Sequence, residues 1–159
     1  MPTDFTVIIG TRQRFGDQQG DIGEVSVEQE APFVGQSKDY PFSCPNVSGE
    51  RAVITFQSLG VTGLRDFGLG HVNILRVNGT DVLPGITRGP ATSNGIPLWT
   101  THQLLIDANV LREQNVLHIE SVPIPRGPGS ELDNFILDNV VVFFKTRGSV
   151  VDGGTLGQS

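Results

Sequence analysis

Residues 133–144, DNFILDNVVVFF, restrict the fold more than any other part of this chain. The run is apolar, rich in β-branched and aromatic residues, and broken once by Asp138-Asn139. Such a composition suits a pleated strand with at least one buried face. Upstream, LLIDANVLREQNVLHIES and then a Pro/Gly-rich break at 122–133 complete a unit spanning 104–145 that reads as strand, turn, strand, loop, closing strand. With alternating side chains, Phe135, Leu137, Val141 and Phe143 are expected on one face of the last strand. Ile136, Val140, Val142 and Phe144 are expected on the other.

The rest of the chain supports an all-β reading. Strands are expected at 5–9, at 24–30 (EVSVEQE, which alternates), at 51–59, at 71–78 and 80–83, at 99–107 and at 115–121. Asn78-Gly79 between apolar runs marks a two-residue hairpin, because both positions of such a turn need positive φ. Residues 107–111 suit a single helical turn with Asp107 as its cap. Polar or Gly/Pro-rich loops are expected at 11–23, 32–49, 88–97 and 122–133. Twenty Gly and ten Pro in 159 residues fit short strands and tight turns better than a helical bundle. The expected organisation is an antiparallel β-sandwich of jelly-roll type in one domain over 1–145, with a flexible tail at 146–159.

Charge and cysteine content narrow the function. A net charge of -6 disfavours both nucleic acid and an anionic membrane surface as partners. Cys44 is the lone cysteine, so no intramolecular disulfide and no thiolate zinc site can form. The N-terminal residues lack a basic segment followed by an apolar one, which makes a cytoplasmic location the default expectation.

Two motifs carry a family resemblance. VNGTDV at 77–82, and Leu111, Asn115, Leu117 and Ile119 in an L-x-x-x-N-x-L-x-I pattern, resemble the galactose-binding-like β-sandwiches. These include the sugar-binding jelly-roll domain of family 2 glycoside hydrolases and related carbohydrate-binding modules. The closing run DNFILDNVVVFF resembles their final strand, and the likeness spans roughly 50–145. It implies a domain that binds glycans or serves as a passive structural module rather than a catalyst.

Candidate site residues follow from chemistry. One of Asp138 and Asn139 must face the more buried side, and a buried carboxylate needs hydrogen bonds or a cation. The resemblance implies a structural Ca²⁺ joining Asp138 to an early acidic residue: Asp21, Glu28 or Glu30, with Glu24 and Asp17 as further choices. Hard oxygen ligands suit that ion. Trp99 and Tyr40 are the aromatics with a polar handle; each is either a core residue or a platform for a sugar ring. Arg88 and Asn94 are near Trp99 in sequence and offer hydrogen bonds to hydroxyls. His71, His102 and His118 have no metal-ligand spacing, and His118 is expected simply to be solvated on an outward face. Glu131 and Asp133 form the nearest approach to a hydrolytic carboxylate pair, a weak signal. The expected function is therefore a non-catalytic module that binds carbohydrate through loop tips. The alternative is a structural or assembly protein whose sheet faces form a homo-oligomer.

Overall fold

The computed structural model describes residues 2–17, 31–61, 72–90, 92–94, 97–123 and 132–147. These residues form an all-β sandwich. Its strands are β1 (Thr3–Ile9), β2 (Gln13–Phe15), β3 (Phe33–Gly35), β4 (Ser37–Ser43), β5 (Ala52–Leu59), β6 (Ile74–Val77), β7 (Thr80–Asp81), β8 (Thr100–Ile106), β9 (Gln114–Glu120) and β10 (Phe135–Lys145). One sheet runs β3-β2-β10-β5-β8, with β1 also paired to β10; the other runs β4-β9-β6-β7. Every pair is antiparallel except β2 with β3. No described helix is long and apolar enough to cross a membrane.

Strand β10 is the spine of the larger sheet. It pairs with β5 along one edge, and with β2 and then β1 end to end along the other. Its apolar residues bury on both faces. Phe135, Leu137, Val140, Val142 and Phe144 meet Ile54, Phe56, Leu75, Val77, Leu117 and Ile119 in the core between the sheets. Each such side chain contributes about 1.5–3 kcal/mol through removal from water. Phe15 and Phe135 stack there, ring centroids 5.3 Å apart. Ile136 points the other way, where Ala31 and Leu59 bury it and Trp99 packs against them.

The inward set on β10 corrects the simple alternation. Phe135 and Leu137 face the core, but so do Val140, Val142 and Phe144, while Phe143 is 40 % exposed. The change of parity comes from a bulge. Asp138 pairs with Gln57 and Val141 with Thr55, so β10 carries one extra residue there. Asn139 supplies the left-handed backbone (φ 49). An inserted residue of this kind bends a strand and re-aims its side chains.

Other expectations are met or revised locally. Asn78 and Gly79 have φ of 52 and 80, as the expected two-residue turn requires, with Val77 opposite Thr80. The stretch 32–49 is not wholly irregular: it holds β3 and β4. Strand β4 lies at a sheet edge and pairs with β9 alone, so Pro41 removes no ladder bond from a central strand. A further short strand, β2, lies inside the expected loop 11–23. Residues 107–111 make a turn rather than a helical turn, with Asn109 at φ 67. Thr146 and Arg147, the first residues of the expected tail, are tied down: their amides donate to the carbonyls of Pro2 and Asn46. The strand expected at 24–30 and residues 148–159 lie outside the described residues.

Candidate functional site

The bulge on β10 puts Asp138 and Asn139 at the wall of an open depression of about 630 Å³, lined also by Gly10, Thr11, Arg12 and Pro32. Arg12 comes from the short link between β1 and β2. Its guanidinium carbon lies 5.0 Å from the centroid of the Trp99 ring, and its Nε lies 3.6 Å from Asp138 Oδ2. Arg12 is thus held between an indole face and a carboxylate, a stack that planar guanidinium groups favour.

The surroundings fix these groups. The Asn139 amide donates to Asp138 Oδ1 at 2.8 Å, and Asn139 Nδ2 donates to Gln57 Oε1 at 3.0 Å. Arg14 anchors the adjoining segment: its amide donates to the Pro32 carbonyl and its Nε to the Ala31 carbonyl. Ala31 is thereby kept against Ile136, Leu59 and Trp99. Among the described residues, the depression is lined by one cation, Arg12, one anion, Asp138, and the neutral amide of Asn139.

Trp99 and Asp138 are brought to one place; Tyr40, Arg88 and Asn94 are not. Tyr40 lies on β4, half-buried against the core rather than on an exposed loop, and its hydroxyl donates to Gln13 Oε1 at 3.0 Å. Burial raises its pKa well above the usual phenol value. Arg88 and Asn94 are exposed and do not line the depression. Asp21, Glu24, Glu28, Glu30 and Glu131 lie outside the described residues. Arg12 was missed because an isolated arginine in a polar stretch carries no pattern; only the fold brings it to Trp99.

A calcium centre at Asp138 would draw its other expected ligands, Asp21, Glu28 and Glu30, from outside the described residues. Asp138 is the sole carboxylate of those lining the depression, and the positive charge beside it is the protein's own Arg12. Asp17 is committed elsewhere, accepting from the Leu132 amide at 2.9 Å and from Asn134 Nδ2 at 3.1 Å. Among the described residues no group of three His, Cys, Asp or Glu is arranged to hold a metal ion.

Two further polar clusters have structural explanations. Asp133 is completely buried; its Oδ2 accepts from Asn73 Nδ2 at 2.7 Å, and its carbonyl accepts from the Ser121 hydroxyl. A carboxylate enclosed in this way offers nothing to a substrate. His118 is not merely solvated. Its Nδ1 lies 2.6 Å from Asp39 Oδ1 and its Nε2 lies 2.9 Å from Glu120 Oε1. Partial burial alone lowers its pKa, but the hydrogen bonds and charges of Glu120 and Asp39 outweigh that and raise it overall. Because the carboxylates sit on opposite ring nitrogens, the three groups do not converge on one ion.

No protein-family model and no curated protein matches the chain. Among solved structures, it is similar to a β-porphyranase of glycoside hydrolase family 86 from the human gut bacterium Bacteroides plebeius, with 16% identity and a TM-score of 0.49. That match covers 92% of this chain and 21% of the other. A second is the family 86 enzyme BuGH86 in complex with neoagarooctaose, with 13% identity, a TM-score of 0.46, and 89% and 19% coverage. The chain spans about a fifth of the length of these enzymes, and a likeness at this level assigns it neither a family nor an activity.

Proposed function

We propose that this chain is a non-catalytic carbohydrate-binding module whose site is the depression formed by Arg12, Asp138 and Asn139 beside Trp99. The observation that carries the reading is the Arg12 guanidinium held between the Trp99 ring and the Asp138 carboxylate. Sugar hydroxyls both donate and accept. A fixed guanidinium offers donors, a carboxylate offers acceptors, and an amide offers both. The indole backs the guanidinium and fixes the plane in which its donors are presented.

The test is calorimetric titration of the chain with a panel of neutral and anionic oligosaccharides, with and without chelator. Binding that falls at least tenfold in Arg12→Ala and in Asp138→Asn, and is indifferent to chelator, supports the site. Silence across the panel, or affinity unchanged in both variants, overturns it. Release of reducing ends during the titration overturns the non-catalytic part.

A further inference from the structure

The bulge on β10 engages the two oxygens of Asp138 differently. Asn139, in left-handed backbone, turns its amide onto Oδ1 and donates to it at 2.8 Å. Oδ2 lies toward Arg12, with Nε 3.6 Å away, too far for a hydrogen bond. The Asp138 side chain is 18% exposed and the Arg12 side chain 40%, so both reach solvent at the depression they line. A donor group and an acceptor oxygen therefore stand side by side there, and the acceptor carries negative charge.

We propose that the depression selects neutral saccharides with two adjacent hydroxyls, and that Asp138 is the residue that excludes anionic ones. This ligand class rests on the carbohydrate-binding reading above. One ring hydroxyl donates to Asp138 Oδ2 while its neighbour accepts from the Arg12 guanidinium. A carboxylate only accepts, so whatever meets Oδ2 must bring a proton to share. Uronate carboxylates and sulfate esters have none. Arginine by itself would favour such oxyanions, because they match its planar fork of donors. Here an incoming anion competes with the protein's own carboxylate for the same guanidinium and comes to rest against a like charge. The net charge of -6 gives its approach no compensating long-range attraction.

The experiment is calorimetric titration of the full chain with neutral glucan, mannan and galactan fragments, and with glucuronate, mannuronate and galacturonate fragments of equal length, at low and at high salt. The unchanged protein is expected to bind a neutral fragment at least tenfold more tightly than the matching uronate, with little dependence on salt. Asp138→Asn is expected to reverse that preference. It weakens the neutral fragment at least tenfold and strengthens the uronate, whose binding then falls as salt rises. Asparagine keeps an oxygen that accepts from the Asn139 amide, so a normal melting curve is expected for that variant. Asp81→Asn is the control. It changes net charge by the same amount at an exposed carboxylate paired with Arg76 on the other sheet, and it is expected to leave the preference as it was. Uronate bound as tightly as the neutral fragment by the unchanged protein, and lost in Arg12→Ala, overturns the neutral class while keeping the carbohydrate site. A preference that survives Asp138→Asn, or that shifts as much in Asp81→Asn, overturns the role of Asp138. No binding to any fragment overturns this ligand class and the carbohydrate reading together.

Discussion

Asn78 Nδ2 donates to Asn115 Oδ1 at 2.8 Å, and this bond joins the two motifs on which the family resemblance rests. Asn78 opens the hairpin between β6 and β7, and Asn115 lies near the start of β9. The same Asn78 amide group donates to the Val110 carbonyl, and Asn78 Oδ1 accepts from the Val116 amide at 2.9 Å. Asn115 in turn closes its own turn, accepting from the Arg112 amide and donating to the Arg112 carbonyl. The residues that make the motifs familiar therefore hold a turn to a neighbouring strand.

Asn115→Ala is expected to lower unfolding stability by about 2–3 kcal/mol, because Asn115 is buried and its removal leaves groups on Asn78 and Arg112 without their partner. Urea denaturation reads this directly. A loss under about 0.5 kcal/mol, the size of an ordinary surface change, contradicts the network.

His118 makes stability depend on pH. Protonated, its ring donates to both Asp39 on β4 and Glu120 on β9; neutral, it has a single N–H to give. Across β6 and β7 the facing groups are Arg76 and Asp81, which pair with each other at 2.7 Å. Because the folded pKa is raised, the contribution is fully present below the unfolded value of about 6.5 and is lost as pH rises through the folded value. The denaturation midpoint is expected to fall as pH rises above about 6.5, and His118→Gln is expected to flatten that slope. An unchanged slope in the variant assigns the effect to other groups.

The bulge on β10 marks where the sequence stops being informative. Strand positions, the Asn78-Gly79 hairpin and the all-β class were legible because they depend on local pattern. The faces of β10 were not, because alternation counts residues and cannot see that Asn139 adds one. Residues 32–49 misled for a related reason: Pro41 reads as a break, yet an edge strand tolerates it. The site was half legible. Asp138 and Trp99 stand out by chemistry, but their meeting through Arg12 depends on pairing between distant strands. Asn139→Val is expected to cost about 1–2 kcal/mol, since a β-branched side chain is strained in left-handed backbone, whereas Asn139→Gly is expected to be nearly neutral. Equal effects of the two substitutions in thermal melts would deny the bulge its backbone conformation.

Arg12 shields the only tryptophan, which gives the candidate site an optical signature. The ion pair with Asp138 is long, at 3.6 Å, and the Arg12 side chain is 40% exposed, so the pair itself contributes less than about 1 kcal/mol. Arg12→Ala should therefore leave the melting curve almost unchanged while opening one face of the Trp99 ring to water. Emission is expected to shift to the red, and acrylamide quenching is expected to rise at least twofold. Arg12→Lys is expected to give an intermediate result, because an ammonium keeps the charge but does not stack as a plane. An unaltered spectrum in Arg12→Ala with intact folding would mean that the guanidinium does not cover the indole in solution. The proposed site would then lose the arrangement on which it rests.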